Sequence, residues 1–232
     1  MYHKVWDAAC DQLTISPKQL RLHLAYLKSM GYRSLSLPEF MAMADGEQPV
    51  DPKAFLLTFD DGYLSQCTIA YPILLSFDFK ATFFIIGSSL EQAEGQGQGP
   101  ECKASAGELF KLDPQVVQLA LHSHRHHHFA DTGLPTIKSD LEQNIRAFER
   151  SGLPFHKVLA YPYGGRPRSA GDKRVLKRWM EEKQIRGAFR IGNKPCTFPT
   201  KDIFELKRID VWGTDTVDTL AIKLRKGKLK PF

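Results

Sequence analysis

Two aspartates in immediate succession, Asp60 and Asp61, close the apolar run Ala54-Phe55-Leu56-Leu57-Thr58-Phe59. The run reads as a buried strand, and side chains alternate faces along a strand, so the two carboxylates at its carboxyl end point apart. Adjacent buried anions repel unless a cation or hydrogen-bond donors offset them. The simplest division of labour gives one carboxylate to a metal ion and leaves the other free to take a proton. Gly62 suits the tight turn that follows. Taken alone, the motif reads equally well as a solvated Asp-Asp-Gly turn, so the rest of a site must be sought downstream.

Five of the eight histidines fall within His122-Ser123-His124-Arg125-His126-His127-His128, behind a second apolar run, Val116-Val117-Gln118-Leu119-Ala120-Leu121. Imidazole and carboxylate are ordinary ligands for a borderline metal, and a catalytic centre uses three protein ligands and keeps one position open. Asp61 with two histidines four apart completes such a set. Two pairs have that spacing, His122/His126 and His124/His128, and spacing alone does not choose between them. A solvated basic tract is the competing reading, and it weakens beside the Asp-Asp-Gly run.

The chain has 232 residues, 42% hydrophobic and 25% charged, which is room for one domain with a full core. No apolar run approaches the ~20 residues of a membrane-spanning helix, and no amino-terminal signal segment is evident. Cys10, Cys67, Cys102 and Cys196 form no Cys-x-x-Cys pair, so they point to neither a zinc knuckle nor a redox motif. The net charge of +6 gathers toward the end, at Lys223, Arg225, Lys226, Lys228 and Lys230, where a solvated last helix accounts for it. No recognition element for nucleic acid is present. Nothing points to a protein partner, and a monomer is expected.

Alternating strands and helices place the chain in the α/β class, as a barrel or a doubly wound sheet. The patterning predicts a helix over Pro17–Met30, capped by Ser16, with Leu20, Leu24 and Leu27 inward. An extended piece follows at Tyr32–Leu35, then a strand over Ala54–Phe59, a helix over Ile69–Phe77 and a strand over Lys80–Ile86. Residues 91–107, rich in Gly, Gln, Glu and Ala, are expected to be a mobile surface loop. Helices are expected over Asp140–Ser151, over Val175–Gln184 and from about Asp218, and strands over Lys157–Tyr161, Gly187–Ile191 and Phe204–Trp212. Asp60, Asp61, His122 and Tyr163 then fall at strand carboxyl ends, where both candidate folds carry their functional groups.

These residues resemble the polysaccharide deacetylase family, the metal-dependent carbohydrate esterases with a NodB-type homology domain. Thr58-Phe59-Asp60-Asp61-Gly62 matches its first motif, and His122-Ser123-His124-Arg125-His126 matches its His-[Ser/Thr]-x-x-His motif. Ser123 in the Ser/Thr position selects His122/His126 over the competing pair. Ala81-Thr82-Phe83-Phe84 and Tyr161-Pro162-Tyr163-Gly164 extend the resemblance over nearly the whole chain. It implies an irregular (β/α)7 barrel as a single domain over residues 1–232. It further implies Asp61, His122 and His126 as metal ligands, Asp60 as catalytic base and the Tyr163 backbone N–H as oxyanion donor. Zn²⁺ is the expected ion, with Co²⁺ or Ni²⁺ also compatible with the donors.

Two family features are out of place. Ala160 stands where the third motif has an arginine that braces the base, and no histidine follows His156 to serve as the usual carboxyl-terminal acid. The branch acting on poly-β-1,6-N-acetyl-D-glucosamine has a permuted order, with its acid histidine near the start in a Tyr-His dipeptide. Tyr2-His3 is similar, so His3 is the candidate acid, and Arg208 is a candidate brace for Asp60. A barrel strand ending at Tyr2-His3 has only Met1 before it, so part of the first strand is expected to be lacking. Trp6, Tyr63, Tyr163 and Trp212 are candidates for stacking on sugar rings, with Pro162 beside them. The implied substrate is an N-acetylated polysaccharide and the implied setting extracytoplasmic. Hydrolysis of another acetylated glycan or a small amide, and a silent carbohydrate-binding role, are the alternatives.

Overall fold

The computed structural model describes residues 1–7, 10–91 and 99–227. Six parallel strands form the central sheet: β5 (Thr58–Asp60), β6 (Ala81–Ile85), β7 (Val117–Leu121), β8 (His156–Ala160), β9 (Ala188–Ile191) and β10 (Leu206–Arg208), hydrogen-bonded in that order. Most of their residues are buried, as expected of parallel strands covered by helices.

Residues 1–2 bridge the two edges of this sheet. Tyr2 N–H donates to Thr58 O and Asp60 N–H to Tyr2 O, while the Met1 amino group donates to Ile209 O and Val211 N–H to Met1 O, all within 3.1 Å. The result is an irregular (β/α)7 barrel whose seventh stave is this short amino-terminal segment. Just beyond it, β1 (Lys4–Val5) pairs with β2 (Thr14–Ile15) outside the barrel.

The helices follow from their caps and apolar stripes. In α1 (Pro17–Ser29), Ser16 accepts from Gln19 N–H, and Leu20, Leu24 and Leu27 are buried as patterned. In α5 (Leu134–Ser151), the buried face carries Leu141, Ile145 and Phe148, but also Asp140 and Asn144. This helix starts six residues earlier than its apolar stripe indicates, because Gly133 and Pro135 open it. Likewise α6 (Ala170–Glu182) starts at the Ser169 cap, well before Val175.

Several elements depart from their sequence reading. The run Ala54–Phe59 divides: β4 (Ala54–Phe55) pairs with β3 (Arg33–Ser34) in a separate two-stranded ribbon, and only Thr58 onward joins the barrel. Helix α2 (Leu37–Ala44) was missing from the sequence reading, although Ser36 and Glu39 form a reciprocal capping box. The helix expected from Ile69 is α3 (Tyr71–Phe77), preceded by a π-type turn over Gln66–Ala70. Of the strand expected over 204–212, only Leu206–Arg208 is a strand of the sheet.

Of the stretch expected as a loop, residues 92–98 lie outside the described residues. Residues 102–104 run antiparallel to 62–64, and Ser105 caps α4 (Ala106–Phe110). Lys223, expected on a solvated face, is buried in α7 (Val217–Lys226), where it pairs with Asp215 and lies over the Trp212 ring. Lys228 and Lys230 lie outside the described residues.

Candidate active site

Asp60 is the last residue of β5, and the chain turns sharply behind it. Asp61 has φ +74° and Gly62 φ +68°. A Cβ on Gly62 would meet the Ile85 side chain at 3.1 Å, so glycine serves both the backbone angle and the close approach. The turn sends the two carboxylates to different partners. Asp60 accepts from Arg208 at both oxygens, Nη1–Oδ1 and Nη2–Oδ2 each 2.6 Å, and Arg208 also donates to Thr58 Oγ1 at 3.3 Å. The guanidinium lies over the neighbouring rings of Phe84 and Phe189, 5.2 and 5.9 Å from their centroids. Burial pushes the Asp60 carboxyl up, but the charge and hydrogen bonds of Arg208, with His122 and His3 nearby, together outweigh it and hold the group below the usual range.

Asp61 Oδ1 lies 3.2 Å from His122 Nε2 and 3.2 Å from His126 Nε2, and the two ring nitrogens are 3.2 Å apart. That near-equilateral triangle approaches the ~3.3 Å edge of a tetrahedron of ligands about 2.0 Å from one ion. Asp61 Oδ1 is buried and accepts no hydrogen bond, an arrangement that a cation at the centre of the triangle would satisfy. The residues present therefore fit a divalent ion. Among the described residues, these three form the one group with such geometry.

The two imidazoles of the triangle are each fixed by a specific partner. His122 Nδ1 donates to Ala160 O at 2.8 Å, which leaves Nε2 with its lone pair toward the triangle. Ser123 and His126 both have positive φ, +61° and +57°, and His126 N–H donates to Ser123 Oγ at 2.9 Å. The serine in the motif thus closes the turn that brings the second imidazole back over the first. With Asp61 and Tyr163, four of the seven non-glycine residues with positive φ among the described residues lie in this one site, which is where backbone strain concentrates in functional centres.

His124 and His128 do not form the competing pair: His124 is buried away from the triangle, and His128 Nδ1 pairs with Asp131 at 2.5 Å. His3 sits on the amino-terminal stave with Nδ1 buried and without a partner. Burial lowers its pKa, outweighing the upward pull of Asp60, Asp61 and Asp210 nearby. Tyr163 has φ +56° in the turn Pro162–Gly164, and its ring is 63% exposed, 4.6 Å from that of His126.

Two residues expected to contact sugar are largely covered. Tyr63 is buried, and Lys103 Nζ lies 3.2 Å from its ring centroid, so that face is covered. Pro162 is buried as well. Trp212 is half-buried, with its indole N–H donated to Asp210 Oδ2 at 2.8 Å.

Four residues escaped the sequence reading. Asn144 Oδ1 accepts from His122 N–H at 3.1 Å, and the Asp140 carboxylate accepts from His124 and Arg125 N–H at 2.8 and 2.9 Å. One helical turn of α5 thereby clamps the histidine loop. Their signal was present: two polar residues four apart on the same stripe as Leu141 and Ile145. Asp210, whose Oδ1 is buried without a partner, acts on the charge of His3. Lys103 sits 3.9 Å from Asp61 Oδ2, and burial lowers its pKa to about 8 against the pull of Asp61 and Glu101.

Comparison with known proteins agrees with this architecture. Residues 47–178 match the family described as Polysaccharide deacetylase. The "Putative polysaccharide deacetylase YxkH" of Bacillus subtilis (strain 168) is 34% identical over 164 residues, 71% of this chain and 55% of that protein, so the match spans about half of the relative's length. The poly-beta-1,6-N-acetyl-D-glucosamine N-deacetylase of Escherichia coli (strain K12) is 37% identical over 89 residues, 38% of this chain and 13% of that one. The structure of Streptococcus pyogenes deacetylase PplD superposes with a TM-score of 0.76 at 20% identity, covering 97% of this chain and 96% of that one. With the matched region covering more than half of the sequence and both motifs on the strand ends of a (β/α)7 barrel, the chain belongs to the polysaccharide deacetylase family.

Proposed function

We propose that this chain is a metal-dependent deacetylase that removes N-acetyl groups from a β-linked N-acetylglucosamine polysaccharide and releases acetate. The observation that carries the reading is the Asp61/His122/His126 triangle beside an Asp60 gripped by Arg208. Asp61, His122 and His126 would hold the ion, Zn²⁺ by the chemistry of the donors, with Co²⁺ or Ni²⁺ also compatible. When bound, the ion supplies Lewis acidity toward the acetyl carbonyl and acidifies water.

The remaining work falls to the chain's own groups. Asp60 takes the proton of the attacking water; each carboxylate oxygen has more than one lone pair, so the two bonds from Arg208 do not exhaust it. Arg208 fixes the carboxylate's orientation and keeps it ionised. The Tyr163 backbone N–H donates to the acyl oxygen as negative charge develops there, a contribution of about 3–4 kcal/mol for one such donor. His3 hands a proton to the departing amine, with Asp60, Asp61 and Asp210 favouring its charged form against burial. The C–N bond breaks, and the products are acetate and a glucosamine unit with a free amine. Trp6, Tyr163 and Trp212 remain the aromatic candidates for contact with the sugar.

The E. coli relative's named substrate supports the glucosamine polymer, over a short matched stretch. Acetate release by the zinc-loaded chain from β-1,6- and β-1,4-linked N-acetylglucosamine oligomers and from an O-acetylated xylan tests the assignment. Chelator-sensitive release from an N-acetylated oligomer is expected. Release from the O-acetylated polymer alone would replace the reading with an esterase.

A further inference from the structure

Lys103 is set against the metal triangle by its neighbours. Its backbone pairs with the chain leaving the Asp-Asp-Gly turn: Leu64 N–H donates to Cys102 O at 2.7 Å and Ala104 N–H to Gly62 O at 2.8 Å. The ammonium lies 3.2 Å from the Tyr63 ring centroid and 3.9 Å from Asp61 Oδ2, while Asp61 Oδ1 faces the two imidazoles. Among the described residues, no other Lys or Arg reaches ion-pair distance of Asp61. The nearby Lys4 is engaged by Glu101 at 2.5 Å. At 3.9 Å the contact with Oδ2 is too long for a directional hydrogen bond. What Lys103 brings to Asp61 is charge.

We infer that Lys103 is a positioning residue that acts through Asp61: its fixed positive charge weakens the hold of the Asp61/His122/His126 set on a divalent cation and keeps the centre more electropositive toward the acyl oxygen. The inference rests on the metal-dependent reading given above. A unit charge on the far side of a ligand carboxylate repels the ion, and less of the ion's field is then neutralised by its ligands. The same field stabilises charge that develops on the substrate oxygen during reaction. Tyr63 thus contributes by holding a cation in place rather than by stacking on sugar.

The two consequences have opposite signs, which separates the inference from mere structural damage. Calorimetric titration of the metal-stripped full chain with ZnCl₂ and steady-state acetate release are measured on wild type, Lys103→Met and Lys103→Arg. Met keeps the aliphatic stem on Tyr63, and Arg keeps the charge. Lys103→Met is expected to bind Zn²⁺ about tenfold more tightly, with kcat lowered about tenfold and KM within about twofold. Lys103→Arg should stay close to wild type in both. Unchanged or weaker zinc binding in Lys103→Met, or an unchanged kcat, overturns the inference while leaving the metal site standing. Wild type that binds no zinc overturns both.

Discussion

Arg208 reaches across 148 residues of sequence to hold Asp60 with two parallel bonds of 2.6 Å. The family's third motif offers only Ala160 at its arginine position, on β8, so here the guanidinium comes from β10 instead. Ala160 still serves the site, because its carbonyl fixes the tautomer of His122. Both charges of the pair are buried, and neither has another formal charge partner of comparable geometry. Arg208→Met is therefore expected to destabilise the fold by about 3–5 kcal/mol, the cost of stranding a buried charge. Urea unfolding of Arg208→Met, Asp60→Asn and the double variant checks this. The double variant should fall short of the summed losses by at least ~1 kcal/mol; strict additivity would deny the coupling.

The α5 clamp predicts that Asn144→Ala weakens zinc binding about tenfold and costs about 0.5–1.5 kcal/mol of stability, the net worth of one hydrogen bond. The buried His122 N–H would keep Ile85 O at 3.1 Å as an acceptor but lose the side chain that ties it to α5. Zinc titration and unfolding of the same protein read both effects. Unaltered zinc affinity would confine Asn144 to a packing role.

Gly87 follows β6, and a Cβ there would lie 2.7 Å from Asn144 Nδ2, 2.8 Å from His124 Nδ1 and 2.9 Å from Asn144 Cα. Because a backbone atom is among the contacts, side-chain rotation cannot relieve the overlap. Gly87→Ala should destabilise by about 1–3 kcal/mol and displace the clamp. A thermal midpoint equal to wild type would show that the helix can move away freely.

Buried His23 accepts from Tyr2 OH at Nδ1 (2.9 Å) and donates from Nε2 to Asp215 O (2.9 Å), and burial lowers its pKa below 6.5. As pH falls, the unfolded chain takes up this proton first. The contribution of His23 to stability is thus complete above about pH 6.5 and declines as pH drops toward the folded-state value. Stability measured at pH 5.0 and 7.5 should differ less in His23→Gln than in wild type. An identical pH dependence would refute the assignment.

What the sequence revealed depended on how local each feature is. Asp60, Asp61, His122 and His126 lie in two short motifs at the ends of apolar runs, so strand periodicity alone places them at one end of the barrel. Arg208 could be named only as a possible replacement for the missing arginine, since nothing local distinguishes its pairing with Asp60 from one with Asp210 or Glu205. Lys103 was hidden in a stretch whose composition reads as loop, because antiparallel pairing with 62–64 is a long-range event. The cap at Ser36 and Glu39 was legible, yet α2 was missed because its eight residues carry little period. The covering of Tyr63 was hidden for a similar reason: the cation over its ring comes from a segment 40 residues away.

The central claim divides labour between the adjacent carboxylates, and one preparation of Asp60→Asn tests it: bound zinc and acetate release from an N-acetylglucosamine oligomer are measured on the same sample, with Asp61→Asn in parallel. The account predicts that Asp60→Asn keeps its zinc but loses turnover by at least about a hundredfold, since an amide cannot take the proton of the attacking water, while Asp61→Asn loses both. Wild-type acetate release by Asp60→Asn, or equal loss of zinc in the two variants, would contradict it.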